Sequence, residues 1–167
     1  PVPSAGPEAE TRRVPLGVVA QITPWNNPLA IPLGKLAPAL SLGNSVVWKP
    51  SPRSPRIAAE LRDLLGEAGV PAGLVSIVDG GAEAADAVCE AEEVAGVSVT
   101  GSSAAGYSAQ AVCARRRLPI QAELGGNNAA IVWADCDIDA AADAIAEAAF
   151  GCAGQRCTAN RRAIVAE

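Results

Sequence analysis

Val97-Ser98-Val99-Thr100-Gly101-Ser102-Ser103-Ala104-Ala105-Gly106 reads as a β-branched strand, a glycine turn and the opening of an alanine-rich helix. The same grammar repeats in both directions along the chain. Short β-branched runs over 17–22, 45–48, 74–78, 97–100, 120–124 and 129–133 alternate with Ala- and Leu-rich stretches over 29–42, 55–68, 82–91, 103–114 and 138–150. Strands separated by helix-length segments cannot pair as hairpins, so the pattern predicts an α/β fold with a mainly parallel, doubly wound sheet and helices on both faces. The last helix has the clearest signals. Asp135, Asp137 and Asp139 put negative charge at its positive end, Ile138, Ala142, Ile145 and Ala149 predict one buried stripe, and Gly151 ends it.

A chain of 167 residues can build one domain with a sizeable core. Half of its residues are hydrophobic but only 3% are aromatic, so the core is expected to be made of small aliphatic side chains packing helix on sheet. The net charge of −5 argues against a nucleic-acid surface, and Arg115-Arg116-Arg117 reads as a solvated helix end. No apolar run approaches a membrane span, and the first 13 residues lack the apolar core of a signal peptide. Five cysteines without paired spacing, and no histidine, point to reduced thiols in a cytoplasmic setting and away from a metal site. Residues 1–13 read as a loose lead-in, 14–150 as a nucleotide-binding domain, and 151–167 as a cysteine loop opening a further domain. The absence of methionine and a final strand beginning near Arg162 lead us to expect a segment of a longer protein, lacking its substrate-covering portion and inactive alone.

Several residues carry chemistry. Cys157 lies in Gly151-Cys152-Ala153-Gly154-Gln155-Arg156-Cys157-Thr158-Ala159, on backbone that can approach a substrate and beside a cationic Arg156 that favours the thiolate. A lone cysteine in a turn also fits a small packed side chain. Asn26 follows a predicted strand, where an open α/β sheet places its ligand crevice, and its amide can donate to an oxyanion; Asn26-Asn27-Pro28 equally fits a helix cap. Glu123 ends a strand before Gly125-Gly126, where partial burial would suit a general base; a solvent-facing strand-end glutamate fits equally. The turn from Gly101 to Gly106 can offer N–H groups to a pyrophosphate, but it matches neither common phosphate-loop pattern and also fits a structural helix cap. Lys49 ends another strand and also fits a snorkelling surface lysine.

Pro24-Trp25-Asn26, Trp48-Lys49-Pro50-Ser51, Thr100-Gly101-Ser102, Glu123-Leu124-Gly125-Gly126 and the Cys157 segment, in this order and spacing, resemble the aldehyde dehydrogenase superfamily. The resemblance spans nearly the whole chain. It implies a Rossmann-like fold and NAD(P)-dependent oxidation of an aldehyde to a carboxylic acid through a thioester on Cys157. Asn26 and the Cys157 N–H would hold the oxyanion, and Glu123 would activate the deacylating water; its presence favours hydrolysis over transfer to coenzyme A. The implied cofactor surface comprises Ile22, Thr23, Trp25, Lys49, Ser51, Pro52, Gly101, Ser102, Gly106 and Leu124. Pro52 stands where many NAD-preferring members carry a ribose-gripping glutamate, and Arg53 and Arg56 are near it, so NADP is permitted beside NAD. Asn127 departs from the lysine common at its position, and Asn127-Asn128 with Arg161-Arg162 leans toward semialdehyde-oxidising branches. The resemblance also implies a homo-oligomer. The competing reading is a non-catalytic nucleotide-binding or interaction module.

Overall fold

Valine and isoleucine, stiff at χ1, fill the strands, and alanine and leucine fill the helices, as their conformational entropies favour. A computed structural model describes residue 10 and residues 12–166. The lead-in expected over 1–13 lies outside the described residues, apart from positions 10, 12 and 13. The chain forms two compact units, one ending at Glu123 and one beginning at Leu124.

The first unit runs β1 (Val18–Ile22), α1 (Ala30–Ser41), β2 (Ser45–Lys49), α2 (Pro55–Glu67), β3 (Val75–Ile77), α3 (Ala82–Glu90), β4 (Val94–Thr100), α4 (Ser103–Arg116) and β5 (Ile120–Glu123). Its five strands lie in the order β3-β2-β1-β4-β5, and every pair is parallel. This is the doubly wound arrangement expected from the sequence. The order reverses between β1 and β4, so their following loops diverge and leave a crevice at the carboxyl edge.

Pleat alternation divides the core. Ala20, Ile22, Val97 and Val99 pack with Ala85, Val88, Cys89, Ala109, Val112 and Cys113 on the α3–α4 side. Val46 and Trp48 pack with Leu36, Ala58 and Leu61 on the α1–α2 side. Cys89 and Cys113 are free thiols within the first cluster. Burial pushes both thiols up, Cys89 from 9.0 to about 11, because the thiolate loses its hydration there.

The arginine cluster that ends α4 is more structural than a solvated helix end. Arg116 donates to the carbonyl oxygens of Cys89, Glu92 and Val94, tying α4 to the α3–β4 connection. Arg115 pairs with Glu90, and Arg117 adopts a left-handed φ of 57° as the C-cap. Three carbonyls beside one guanidinium explain the difference, since they supply acceptors that the local sequence does not reveal.

The second unit contains β6 (Asn128–Val132), α5 (Ile138–Phe150), a 3-10 turn (Gly151–Gly154) and β7 (Asn160–Val165). β6 pairs in parallel with β7 in a separate two-stranded sheet, so the compact unit changes at Glu123 instead of at Phe150. The Asp137 carboxylate caps α5 by accepting from the Ala140 N–H at 3.0 Å, as its acidic start suggested. The expected burial of its stripe is not observed. None of its residues is buried, and Ile138 is 59% exposed, because within this unit the helix has only a two-stranded sheet to pack on.

Candidate active site

In a parallel sheet every strand ends at the same edge, so residues scattered through the sequence are gathered there. Ile22 and Thr23 end β1, Lys49 and Ser51 end β2, Thr100 and Gly101 end β4, and Glu123 ends β5. Main-chain bonds fix these ends: the Thr23 N–H donates to the Lys49 carbonyl at 3.2 Å, and the Gly101 N–H to the Glu123 carbonyl at 3.0 Å. The Trp48 indole N–H donates to the Thr23 hydroxyl at 2.8 Å in the interior.

Lys49 is not a snorkelling surface lysine. It is only 5% exposed, on the face of the sheet that α3 covers, and desolvation lowers its pKa against the opposing influence of the Glu83 carboxylate. Its ammonium has no hydrogen-bond acceptor among the described residues. A desolvated cation two residues from the buried Ser51, on the same sheet edge as the N-terminus of α4, suits a ligand bearing hydroxyl and phosphate groups, so the residues fit a dinucleotide. At that helix start the Ser102 hydroxyl accepts from the Ala105 N–H at 3.2 Å, and Gly106 is buried. Pro52 is exposed, and Arg53 stacks over the Trp25 ring with its guanidinium carbon 5.5 Å from the centroid.

Asn26 is half-buried in the loop after β1 and does not cap the following helix. The first residue of α1 is Ala30, its N-cap is Leu29, and that cap receives no side-chain hydrogen bond. Asn26 therefore lies in the loop ahead of the helix and not at its cap. Glu123 is exposed at its strand end, so the burial that would favour a general base is not present in this unit.

Beneath Glu123 lies a polar row that the sequence reading missed. Gln21, Ser98 and Gln121 stand in register across β1, β4 and β5, and the Lys35 ammonium on α1 donates to Ser98 Oγ at 2.6 Å and Gln121 Oε1 at 3.1 Å. Ser98 in turn donates to Gln121 at 2.6 Å, and Gln21 holds the Lys35 carbonyl at 2.9 Å. Burial lowers the Lys35 pKa, with the Glu123 carboxylate opposing that shift. One signal was available: three polar residues on otherwise apolar strands, and a lysine in an apolar helix.

Cys157 belongs to the second unit and is exposed. Cys152, Ala153 and Gly154 before it all have left-handed backbone, with φ of 53°, 56° and 66°. Only glycine adopts this without strain, and a Cβ at Gly154 would also stand 3.0 Å from the Ala149 carbonyl. Arg161 donates to the Gly154 carbonyl at 3.0 Å. Arg156, expected to favour the Cys157 thiolate, instead directs its guanidinium at the Cys152 sulfur, 3.0 Å away. The left-handed turn from Cys152 to Gly154 folds Cys152 back toward Arg156. On the other side of the loop, Asn128 Nδ2 donates to the carbonyls of Cys157 at 2.6 Å and Ala159 at 3.2 Å. Leu124, expected on the cofactor surface, opens this second unit and is half-buried.

A model described as the aldehyde dehydrogenase family matches residues 1–167. The chain is 45% identical over 166 residues to phenylacetaldehyde dehydrogenase of Pseudomonas fluorescens, covering 99% of this chain and 33% of that protein. It is 44% identical over 156 residues to α-ketoglutaric semialdehyde dehydrogenase of Bacillus subtilis (strain 168), covering 93% of this chain and 32% of the relative. The crystal structure of PnpE in complex with nicotinamide adenine dinucleotide matches with a TM-score of 0.88 at 40% identity, over 93% of this chain and 32% of that one. The chain thus spans about a third of the length of these relatives.

Proposed function

Because the chain belongs to the aldehyde dehydrogenase family, we propose that it carries the nucleotide-binding part and the nucleophile of an NAD(P)-dependent enzyme that oxidises an aldehyde to a carboxylic acid. The first unit, to Glu123, holds the dinucleotide, and the unit from Leu124 presents the thiol. The observation that carries this reading is the set of strand ends at one sheet edge, with the desolvated Lys49 among them. Lys49 and Ser51 would hold the ribose end, and the turn from Gly101 to Gly106 the pyrophosphate. Ile22, Thr23, Trp25, Pro52 and Leu124 complete that surface. When bound, the nicotinamide supplies the two-electron acceptor for the aldehyde hydrogen.

The chain's own residues perform the remaining steps. The Cys157 thiolate adds to the aldehyde carbon, and the Asn26 amide and the Cys157 N–H stabilise the resulting oxyanion. Loss of hydride from that carbon leaves a thioester on Cys157. Glu123 takes a proton from water, whose oxygen attacks the thioester carbonyl; the acid departs and the thiolate is regenerated. Pro52 with Arg53 and Arg56 tolerates a 2′-phosphate, which extends the cofactor to NADP. The semialdehyde relative supports a substrate with a second polar end. Five free cysteines support a reducing, cytoplasmic setting, and no described helix is long and apolar enough to cross a membrane. We extend the reading to a homo-oligomer for the whole protein.

Stopped-flow assays of the whole protein with aliphatic and semialdehyde substrates test the roles. Glu123→Gln is expected to keep a single-turnover burst of reduced nicotinamide while steady turnover falls by about 10²–10⁴-fold. Cys157→Ser is expected to abolish both. Unchanged turnover in Glu123→Gln removes that residue as the base.

A further inference from the structure

β6 enters its sheet with an irregular register. Asn128 opposes Asn160, but the next residue, Ala129, opposes Arg162, so β7 spends an extra residue, Arg161, between the two pairs. Such bulges re-aim side chains at strand ends. Here the extra residue sits where Asn128 leaves the ladder and turns its amide toward the cysteine loop. Both donors of that amide are used, one on the carbonyl of Cys157 and one on that of Ala159.

Gly126 completes the seat. A Cβ there would stand 3.2 Å from the Cys157 carbonyl and 3.2 Å from Asn128 Oδ1, so a side chain would press on both partners of the bond. On its far side the loop is pinned by the Ala159 N–H, which donates to the Arg156 carbonyl at 3.2 Å, and by the burial of Ala159, which is 1% exposed. The carbonyls flanking Thr158 therefore converge on one side chain. The peptide planes on either side of Cys157 share atoms with those that orient its N–H and its Cα–Cβ bond. Fixing the Cys157 carbonyl accordingly restricts where the thiol and N–H point.

We propose that Asn128 is a positioning residue for Cys157, an amide clamp that holds the nucleophile loop in its reactive geometry through two carbonyl bonds. The proposal rests on the reading of Cys157 as the nucleophile. The Asn128 amide bonds main-chain carbonyls of the loop, so its effect passes through the backbone. It belongs to the acylation half of the cycle, since attack and oxyanion stabilisation depend on the sulfur and the N–H. Glu123 governs the other half.

The decisive variant is Asn128→Asp, which keeps the shape but replaces the donating nitrogen by an acceptor facing two carbonyl oxygens. In the whole protein the burst of reduced nicotinamide is expected to slow by about 10–100-fold, with KM for the aldehyde changing less than threefold. Slower acylation also makes hydride transfer visible, so a 1-deuterated aldehyde is expected to show a larger isotope effect on turnover than in the wild type. Asn128→Gln, which retains both donors, is expected to recover more of the burst rate than Asn128→Ala. Amide hydrogen exchange across 156–160 reads the clamp without any turnover and is expected to accelerate by about tenfold or more in Asn128→Asp. Unchanged exchange together with a burst within twofold of wild type overturns the proposal. If Asn128→Asp fails to fold, the burst and exchange of Asn128→Gln and Asn128→Ala decide it, and equal values for these two overturn it. A wild-type protein that forms no reduced nicotinamide with any of these aldehydes refutes the dehydrogenase reading instead, while the exchange comparison still reports whether the clamp exists.

Discussion

The two units of this chain use similar apolar residues to opposite effect. Up to Glu123, Trp48, Leu36, Val46 and Val99 are all but inaccessible, and two core clusters cover both faces of the sheet. From Leu124 onward, Val132 and Ala159 are the buried hydrophobics among the described residues, while Phe150, Ile131 and Ile138 stand 77%, 73% and 59% exposed. A helical stripe of Ile138, Ala142, Ile145 and Ala149 is as regular a signal as any in the first unit. Periodicity selects a face, but burial needs a second layer, and in the first unit five parallel strands supply two.

The largest effect expected from this contrast is on stability. Trp48→Ala or Leu36→Ala is expected to cost this chain about 2–5 kcal/mol, because transfer energy is lost and a cavity is left. Phe150→Ala, with nothing packed tightly around it, is expected to change stability by about 0.5 kcal/mol or less. Urea unfolding followed by circular dichroism measures all three, and equal losses would break the comparison.

A smaller effect separates the thiols. The Cys89 pKa is raised to about 11 in the folded chain from an ordinary 9.0, so the native state holds its proton more tightly than the unfolded state. Its contribution to stability, about 2–3 kcal/mol, is fully present below pH 9 and is lost as pH rises toward 11. Cys89→Ala is expected to flatten the decline of stability over that window. Brief iodoacetamide treatment at pH 8, read by peptide mass, is expected to label Cys157 and Cys152 and spare Cys89 and Cys113. Labelling of Cys89 ahead of Cys157 would contradict the burial.

The smallest expected effect compares the caps. Ser102→Ala and Asp137→Ala each remove one side-chain acceptor from a helix start, at about 1 kcal/mol. For Ser102 the loss is expected in the main unfolding transition, since α4 lies on the core of the first unit. For Asp137 it is expected as faster hydrogen exchange confined to α5. The same shift of the main transition in both variants would mean that the two units unfold as one.

Sequence by itself determined the alternation, the identity of each element and the gathering of Lys49, Gly101 and Glu123 at strand ends, with Asn26 in the loop after β1, because these follow from local periodicity and from the geometry of parallel sheets. The helix from Ile138 to Phe150 matches its expected limits, since Asp137 and Gly151 are local signals at its two ends. Tertiary structure alone decided which apolar faces are covered and which polar groups find each other. The burial of Lys49, the Lys35–Ser98–Gln121 row and the three carbonyls held by Arg116 are of this kind. So is the Asn128 clamp on the cysteine loop, where partners 29 and 31 residues apart meet through a bulge. Such contacts depend on where separate elements cross, and no short-range pattern encodes a crossing; backbone conformation is set mainly by neighbours along the chain, whereas desolvation and hydrogen-bond pairing are set by neighbours in space.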